Sequence, residues 1–298
     1  MDITPNGLRC LCGGSKFSTT FTYTAPPKPE IHYEFSRSQR YFRKVFQCEI
    51  CGHFQSVHHM NADQLYSGEY VNSTYGENGI RRAFDRINAL DPTKSDNIGR
   101  VRRIVDYASR HWPVSEAPQP PHILDVGSGL CVFLYRMKEA GWNCTALDPD
   151  PRATAHAKDV AGVDQTIHGD FMKVKDGGRY DVVTFNKVLE HVQDPVAMLA
   201  KALDYLKPGG FVYIELPDGE IAAKDGSDRE EFTIEHWHVF SAASIALLAQ
   251  QAGFSVRVLE RLYEPSTKYT LRAFLVPTPA RTSRDNAPIQ RATPQEVA

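Results

Sequence analysis

His122–Phe133 reads HILDVGSGLCVF. A short apolar run ends in an aspartate, two glycines and a serine, and then turns apolar again. The run HILDV has the length and composition of a buried strand. The glycines supply a hinge into whatever follows. In open α/β sheets ligands lie at the carboxyl ends of the strands, so this loop is a binding position by topology alone.

The rest of the chain supports such a sheet. HILDV, NCTAL, YDVVTF and FVYIEL read as buried strands, short and rich in β-branched residues. Helices with visible punctuation lie between them. Over Pro195–Lys207, Asp194 can cap, Pro195 suits the first helical position, and Val196, Leu199, Leu203 and Leu206 make one apolar stripe. Ser241–Ala252 repeats the logic, with Ser241 as cap and Gly253 as terminator. Upstream, Ile98, Val101, Ile104, Val105 and Ala108 have helical spacing, and the proline-rich linker Ser115–Pro121 marks a boundary. Strand and helix in alternation imply a parallel sheet covered on both faces.

The ligand can be narrowed by charge. A dinucleotide wants G-x-G-x-x-G, but counting from Gly127 gives Gly129 and then Val132, so the third glycine is missing. Asp125 also puts a carboxylate where a pyrophosphate would need none. S-adenosylmethionine, with its amine and sulfonium, reverses that sign. Asp148, at the end of the next strand, suits both ribose hydroxyls. After a third strand near Gln165–His168, Asp170 can accept from the adenine amino group while Phe171 packs on the ring.

DVGSG at 125–129, LDP at 147–149, GDF at 169–171, the stretch YDVVTFNKVLEHVQDP and the turn LKPGG at 206–210 resemble the successive motifs of class I S-adenosylmethionine-dependent methyltransferases. The resemblance implies an α/β fold, a doubly wound seven-stranded Rossmann-like sheet whose last strand, at Lys268–Leu275, is antiparallel. It implies a cofactor site of Asp125, Gly127, Ser128, Gly129, Asp148, Asp170, Phe171 and Asn186. Family members often carry a third glycine where this chain has Cys131.

Methyl transfer needs alignment above all, and a base when the acceptor is a hydroxyl or a carbon acid. NKVLEHVQDP places Glu190 and His191 just after the fourth strand, and EFTIEHWHVFS places Glu235, His236 and His238 before a later helix. The second stretch resembles methyltransferases acting on sugars, including those of antibiotic sugars and surface polysaccharides. That resemblance implies His236 as base with Glu235 as its neighbour, and His191 is a second candidate. A tyrosine of that group is Thr233 here, which favours O-methylation over C-methylation. Some quinone-pathway relatives carry acidic metal ligands after the fourth strand, but Lys187 replaces one of them, so no magnesium is expected.

RCLCGG and FQCEICGHF bracket 35 intervening residues. Cys48 and Cys51 form the C-x-x-C turn that lets two thiolates grip one tetrahedral zinc, and Cys10 and Cys12 offer a second, tighter pair. His53 is a possible substitute ligand. Sugar methyltransferases of this kind often carry an N-terminal zinc-binding module, which adds a small zinc-ribbon-like unit to the expected fold. A ribbon this small would draw its folding energy from the metal.

Four zones follow: a zinc-binding module at 1–60, a helical connecting region at 61–115, the cofactor domain at 116–280 and a disordered tail at 281–298. The formal charge of −2 and the lack of a basic run exclude a duplex nucleic-acid binder. No apolar segment reaches the roughly 18 residues of a membrane span, and no signal-peptide pattern opens the chain, so a cytoplasmic protein is expected. The expected function is O-methylation of a sugar in a nucleotide-linked or polysaccharide precursor, with a small-molecule or glycan acceptor, S-adenosylmethionine and structural zinc. Another small metabolite or a lipid-linked acceptor is the alternative, and a third reading is an inactive zinc-containing binding protein.

Overall fold

The computed structural model describes residues 3–31, 40–60, 79–113 and 115–279. The first part of the expected connecting region, residues 61–78, and the expected tail from Arg281 lie outside the described residues. In chain order come β1 (Phe17–Tyr23), β2 (Arg43–Cys48), β3 (Phe54–His58), α1 (Gly79–Asn88), α2 (Asp96–His111), β4 (His122–Val126), α3 (Val132–Glu139), β5 (Asn143–Asp148), α4 (Pro151–Asp159), β6 (Gln165–His168) and β7 (Tyr180–Asn186). They are followed by α5 (Pro195–Lys201), β8 (Leu206–Pro217), α6 (Gly219–Ala222), β9 (His238–Val239), α7 (Ala242–Gln251), β10 (Phe254–Tyr263) and β11 (Tyr269–Pro277).

The large sheet has seven strands in the order β10-β11-β8-β7-β4-β5-β6. β4 through β8 run parallel, and β11 inserts antiparallel between β8 and β10, as the resemblance implies. Both faces are covered, because consecutive residues of a strand point to opposite sides. Leu124, Val183, Phe185, Val212 and Ile214 pack beneath Leu199, Ile245 and Leu248. Ile123, Val182, Phe211, Tyr213 and Phe274 pack beneath Ile104, Tyr107, Phe133 and Leu134. The strand order reverses between β4 and β7, which is where a crevice opens in such sheets.

Helix α2 shows how sequence, packing and charge combine. Ser95 caps it by accepting from the Ile98 N–H at 3.4 Å, and Arg110 and His111 occupy its last turn, where cations are favoured. Its apolar face brings Tyr107 flat against Phe274, ring centroids 3.9 Å apart. Its polar face carries Arg100 into the sheet, where the guanidinium pairs with Glu215. Glu215 is fully buried and lies in register with Asn186 on one side and Arg272 on the other. Burial alone would raise its carboxyl, but Arg100 foremost, then Arg272 and Lys187, hold it down to about 2.

Two departures from the sequence reading have local causes. The helix expected over Pro195–Lys207 ends at Lys201, passes through a 3-10 turn at Ala202–Tyr205, and gives way at Leu206 to β8. Pro208 cannot continue a helix and biases its predecessor toward extended backbone, so Leu206 pairs with Tyr180 instead. The second departure is β9, taken from the EHWHVF stretch, which adds a fourth strand to the sheet β1-β2-β3. The N-terminal sheet is thereby stitched to the large domain.

Glu215→Gln would leave Arg100 buried without its counter-charge, while Arg272 keeps Glu264 at 3.2 Å, a loss of about 3–5 kcal/mol. The expected outcome is a large fall in the urea midpoint with an unchanged slope. A midpoint equal to wild type would mean that the pair contributes nothing to holding α2 on the sheet.

Candidate cofactor and acceptor site

The loop after β4 is built by backbone conformation. Gly127 and Gly129 both have positive φ, +71° and +49°. A Cβ at Gly127 would meet Val188 Cγ2 at 2.8 Å, whereas only Gly127 O, at 3.9 Å, comes within 4 Å of one at Gly129. The first glycine thus permits a close approach, and the second leaves an open cradle. The Gly127 and Ser128 N–H groups donate to Leu147 O at 2.8 and 3.2 Å, fixing the loop over β5. Cys131, where the family often has glycine, adopts φ +60° as the residue before α3 and is buried. It keeps the left-handed turn at the cost of some strain.

Asp125 lies beneath this loop. Its Oδ1 accepts from Thr184 Oγ1 at 2.6 Å and from Asn186 Nδ2 at 2.8 Å. Burial raises its carboxyl to about 7 against the pull of those two hydrogen bonds. Asp148, at the end of β5, accepts from the Gly129 N–H at 2.9 Å and from the Asp150 N–H at 2.9 Å, and burial raises it too. Asp170 caps its own turn through the Met172 N–H at 2.9 Å and keeps a half-exposed carboxylate near Lys173. Phe171 is 3% exposed and packs on Tyr205 and Phe185 with ring centroids 5.0 and 5.7 Å away, so its ring belongs to the core.

The residues present fit S-adenosylmethionine. Ser128 Oγ and Asn186 Oδ1 are buried with no hydrogen-bond partner. Both belong to residues flanking the crevice, and buried polar atoms of this kind call for a ligand. Asn186 is oriented for it, because its amide N–H is committed to Asp125 and its carbonyl therefore points elsewhere.

On the acceptor side, β7 ends in a 3-10 turn at Leu189–His191. His191 Nδ1 lies 3.0 Å from Glu235 O, and His236 Nδ1 lies 2.8 Å from Glu231 O. A carbonyl only accepts, so both Nδ1 atoms carry hydrogens, and in the neutral ring the lone pair lies on Nε2. The rings meet edge to face at 4.8 Å. Burial, then the neighbouring His191, pushes His236 well below the usual histidine range. Glu235 is 6% exposed and meets His191 through its backbone carbonyl. A cavity of about 340 Å³ opens beside His191, lined by the apolar Met172, Val192, Ala197, Met198 and Trp237 together with Asp170, Gln193 and Asp194.

Cys10, Cys12, Cys48 and Cys51 converge with sulfurs within 4.8 Å of one another and no disulfide. Cys10 and Cys51 are 3.3 Å apart, Cys12 and Cys48 3.5 Å. Tetrahedral zinc with bonds of about 2.3 Å spaces sulfurs at about 3.8 Å, a small adjustment from here. The Gly14 N–H already donates to Cys12 Sγ at 3.4 Å. Burial pushes Cys51 up to about 11, while Cys48, against its own burial, is drawn down to about 7 by backbone amides of Cys51 and Ile50. His53 is committed elsewhere, to His238 at 3.0 Å and Ser244 at 3.2 Å.

The sequence motifs did not reveal Arg100, Glu215 and Arg272 beneath the crevice. Nor did they reveal Glu30, which accepts from Tyr41 at 2.7 Å and from the Ile234 N–H at 2.8 Å. These partners are distant in sequence, and no local pattern announces them. Among the described residues, no helix is long and apolar enough to cross a membrane.

A seven-stranded sheet of this order, with a glycine cradle and paired carboxylates at its reversal point, defines a class I S-adenosylmethionine-dependent methyltransferase. A family model described as a methyltransferase domain matches residues 93–259, more than half of the chain, and the chain belongs to that family. The ubiquinone biosynthesis O-methyltransferase of Vibrio parahaemolyticus is 28% identical over 152 residues, 41% of this chain and 64% of that protein. That of Pseudoalteromonas translucida is 28% identical over 162 residues, 49% and 68%. The chain thus spans less than two thirds of the first relative's length. The magnesium protoporphyrin IX methyltransferase of Synechocystis, solved with bound SAH, superposes with a TM-score of 0.52 at 17% identity, over 72% of this chain and all of that one. The 1,6-didemethyltoxoflavin-N1-methyltransferase of Burkholderia thailandensis, solved with S-adenosylhomocysteine, gives 0.52 at 17%, over 84% and 99%. At such identity both establish the shared fold.

Two measurements check this site. Gly127→Ala forces a Cβ into Val188 and strains a left-handed residue by about 1–2 kcal/mol, so S-adenosylmethionine affinity is expected to fall at least tenfold by calorimetry. Asp125 has a folded value near 7 against a usual 3.8. Its contribution to stability is therefore full below the lower value and lost as pH rises toward the higher. Relative to Asp125→Asn, the wild type should lose stability between pH 4 and 7, and a pH-independent difference in urea midpoints would refute that.

Proposed function

We propose that the chain transfers the methyl group of S-adenosylmethionine to a hydroxyl of a small molecule, with a histidine after β7 taking the proton. The observation that carries this is that two features occur together at the ends of β4 and β7. Ser128 Oγ and Asn186 Oδ1 wait as acceptors beside the glycine cradle. Beyond them, His191 and His236 in their neutral forms carry the lone pair on Nε2, because backbone carbonyls hold their Nδ1 hydrogens. Asp125, Gly127, Ser128, Gly129, Asp148, Asp170 and Asn186 would hold the cofactor, whose sulfonium supplies the activated methyl. The chain itself aligns the acceptor, excludes water and receives the proton.

The acceptor we favour has an apolar face. Met172, Val192, Met198 and Trp237 beside His191 support that reading over the sugar expected from the EFTIEHWHVFS stretch. The names of the curated relatives, O-methyltransferases of ubiquinone biosynthesis, support it in the same direction. A glycan acceptor, or a protein that binds the cofactor without turnover, would be recognised in the same assays.

We assign Cys10, Cys12, Cys48 and Cys51 to one structural zinc ion. Their convergence supports this, and the ion would contribute folding energy to the small sheet.

Purified full-length protein should bind S-adenosylmethionine by calorimetry and release S-adenosylhomocysteine when incubated with hydroxylated apolar extracts. No binding would remove the enzymatic reading, and binding without methylation of any acceptor would favour the inactive one. Metal analysis is expected to give one zinc per chain, and chelation to lower the melting temperature by several degrees. A metal-free protein with the same melting temperature would remove the zinc assignment.

A further inference from the structure

Glu190 has no role in the reading above, yet its surroundings demand one. It is wholly buried, and neither carboxylate oxygen has a hydrogen-bond partner. An unpaired buried carboxylate is costly, and proteins keep one where a partner charge appears. The turn is held firmly, so the side chain is not inward by slack in the backbone. The His191 N–H donates to Val188 O at 3.0 Å, and the Trp237 N–H donates to Glu190 O at 2.8 Å.

The charges around it separate the two histidines. Glu190, His191 and His236 each offer an atom within 4.8 Å of the others. His191 and the cations Lys187 and Lys268 all favour the ionised carboxylate, against a burial that opposes it. His236 feels His191, Lys187 and Lys268, all of which oppose its protonation. His191, moreover, borders the cavity of about 340 Å³ that reaches from Asp170 to Trp237, whereas His236 is not among its lining residues.

We propose that His191 is the base and that Glu190 is its positioning residue, the counter-ion of the imidazolium formed during methyl transfer. This rests on the reading that a histidine after β7 takes the acceptor proton. In that step the hydroxyl proton passes to His191 Nε2, and the oxygen's electron pair forms the new bond to the methyl carbon. The carbon–sulfur bond breaks with its electrons remaining on sulfur, which leaves as a neutral thioether. The site changes from a neutral ring beside a lone carboxylate to an imidazolium–carboxylate pair, so the attraction is stronger in the transition state than before it.

The test uses full-length protein with Glu190→Gln, which keeps shape and removes charge. The ring signals of His191 and His236 are followed by NMR titration, assigned with His191→Gln and His236→Gln. In Glu190→Gln the His191 titration should fall by about one pH unit, roughly tenfold in proton affinity, with S-adenosylmethionine affinity unchanged. An unchanged His191 titration overturns the proposal. So does a metal ion present in the wild type beyond that of the cysteine cluster and lost from Glu190→Gln, because the three side chains would then be ligands. If Glu190→Gln does not fold, Glu190→Asp withdraws the charge and should lower the same titration by less, an unchanged value again overturning the idea. Failure of the wild type to bind S-adenosylmethionine would instead sink the functional reading while leaving the titration result standing. With an acceptor in hand, Glu190→Gln should lose about 100-fold in kcat with KM unchanged and a displaced acid limb of the pH profile, and loss in KM alone would contradict it.

Discussion

The buried carboxylate of Asp125 ties fold to site. It ends the central strand at the point where the strand order reverses, and it bonds sideways to Thr184 and Asn186 on the neighbouring strand. Through Asn186 it orients an amide carbonyl toward the crevice. Above it, Gly127 presses against Val188, so the loop and the end of β7 share one close contact. One register further across the sheet, Asn186, Glu215 and Arg272 continue the polar row, and Arg100 of α2 closes it from above. The cofactor crevice therefore has a charged floor held rigid by a helix, with apolar layers on both sides.

The N-terminal sheet reaches the same place from the other direction. Ser241, the cap of α7, donates to Cys51 O, and the Ser56 N–H donates to Trp237 O at 3.0 Å. The Trp237 N–H in turn holds Glu190 O, so a continuous backbone path runs from β3 to the turn that carries His191. Arg43, buried and bonded to Phe232 O at 2.7 Å, braces the segment that carries His236. A metal bound at the cysteine end would thus also order the segment that carries Trp237 and His238, because the two share a sheet and hydrogen bonds.

How much of this could be read from the sequence follows from the range of each interaction. The strands HILDV, YDVVTF and FVYIEL were legible because burial on both faces leaves a continuous apolar run. Asp194 and Ser241 were legible as caps because each acts within three residues of its partner. The cofactor loop was legible because its glycines serve the local backbone. The rest depends on distance. β9 exists only because β3, nearly two hundred residues earlier, offers an edge. Phe171 reads as a ring for adenine beside Asp170, but the alternation of its turn sends it to the core. Glu190 is hidden in NKVLEHVQDP because its significance comes from His236, on a different segment. The helix over Pro195–Lys207 reads too long because an apolar stripe continues into residues that the sheet claims first.

Burial in this protein is not spent evenly. Most buried charges are matched close by, as Glu215 is by Arg100 and Arg272, or Glu30 by Tyr41 and Arg43. Among the buried polar atoms left unmatched, which include others away from the crevice at His58, Asn88 and His156, Ser128 Oγ, Asn186 Oδ1 and both oxygens of Glu190 belong to residues at the ends of β4 and β7. An unpaired buried polar atom lowers stability without adding to packing, so a fold that only had to be stable would replace it with an apolar group. For these four atoms the function proposed above supplies a physical reading: the missing partners arrive with the ligand, as a cationic cofactor and a transferred proton. The local deficit in stability is then what makes the crevice bind and react.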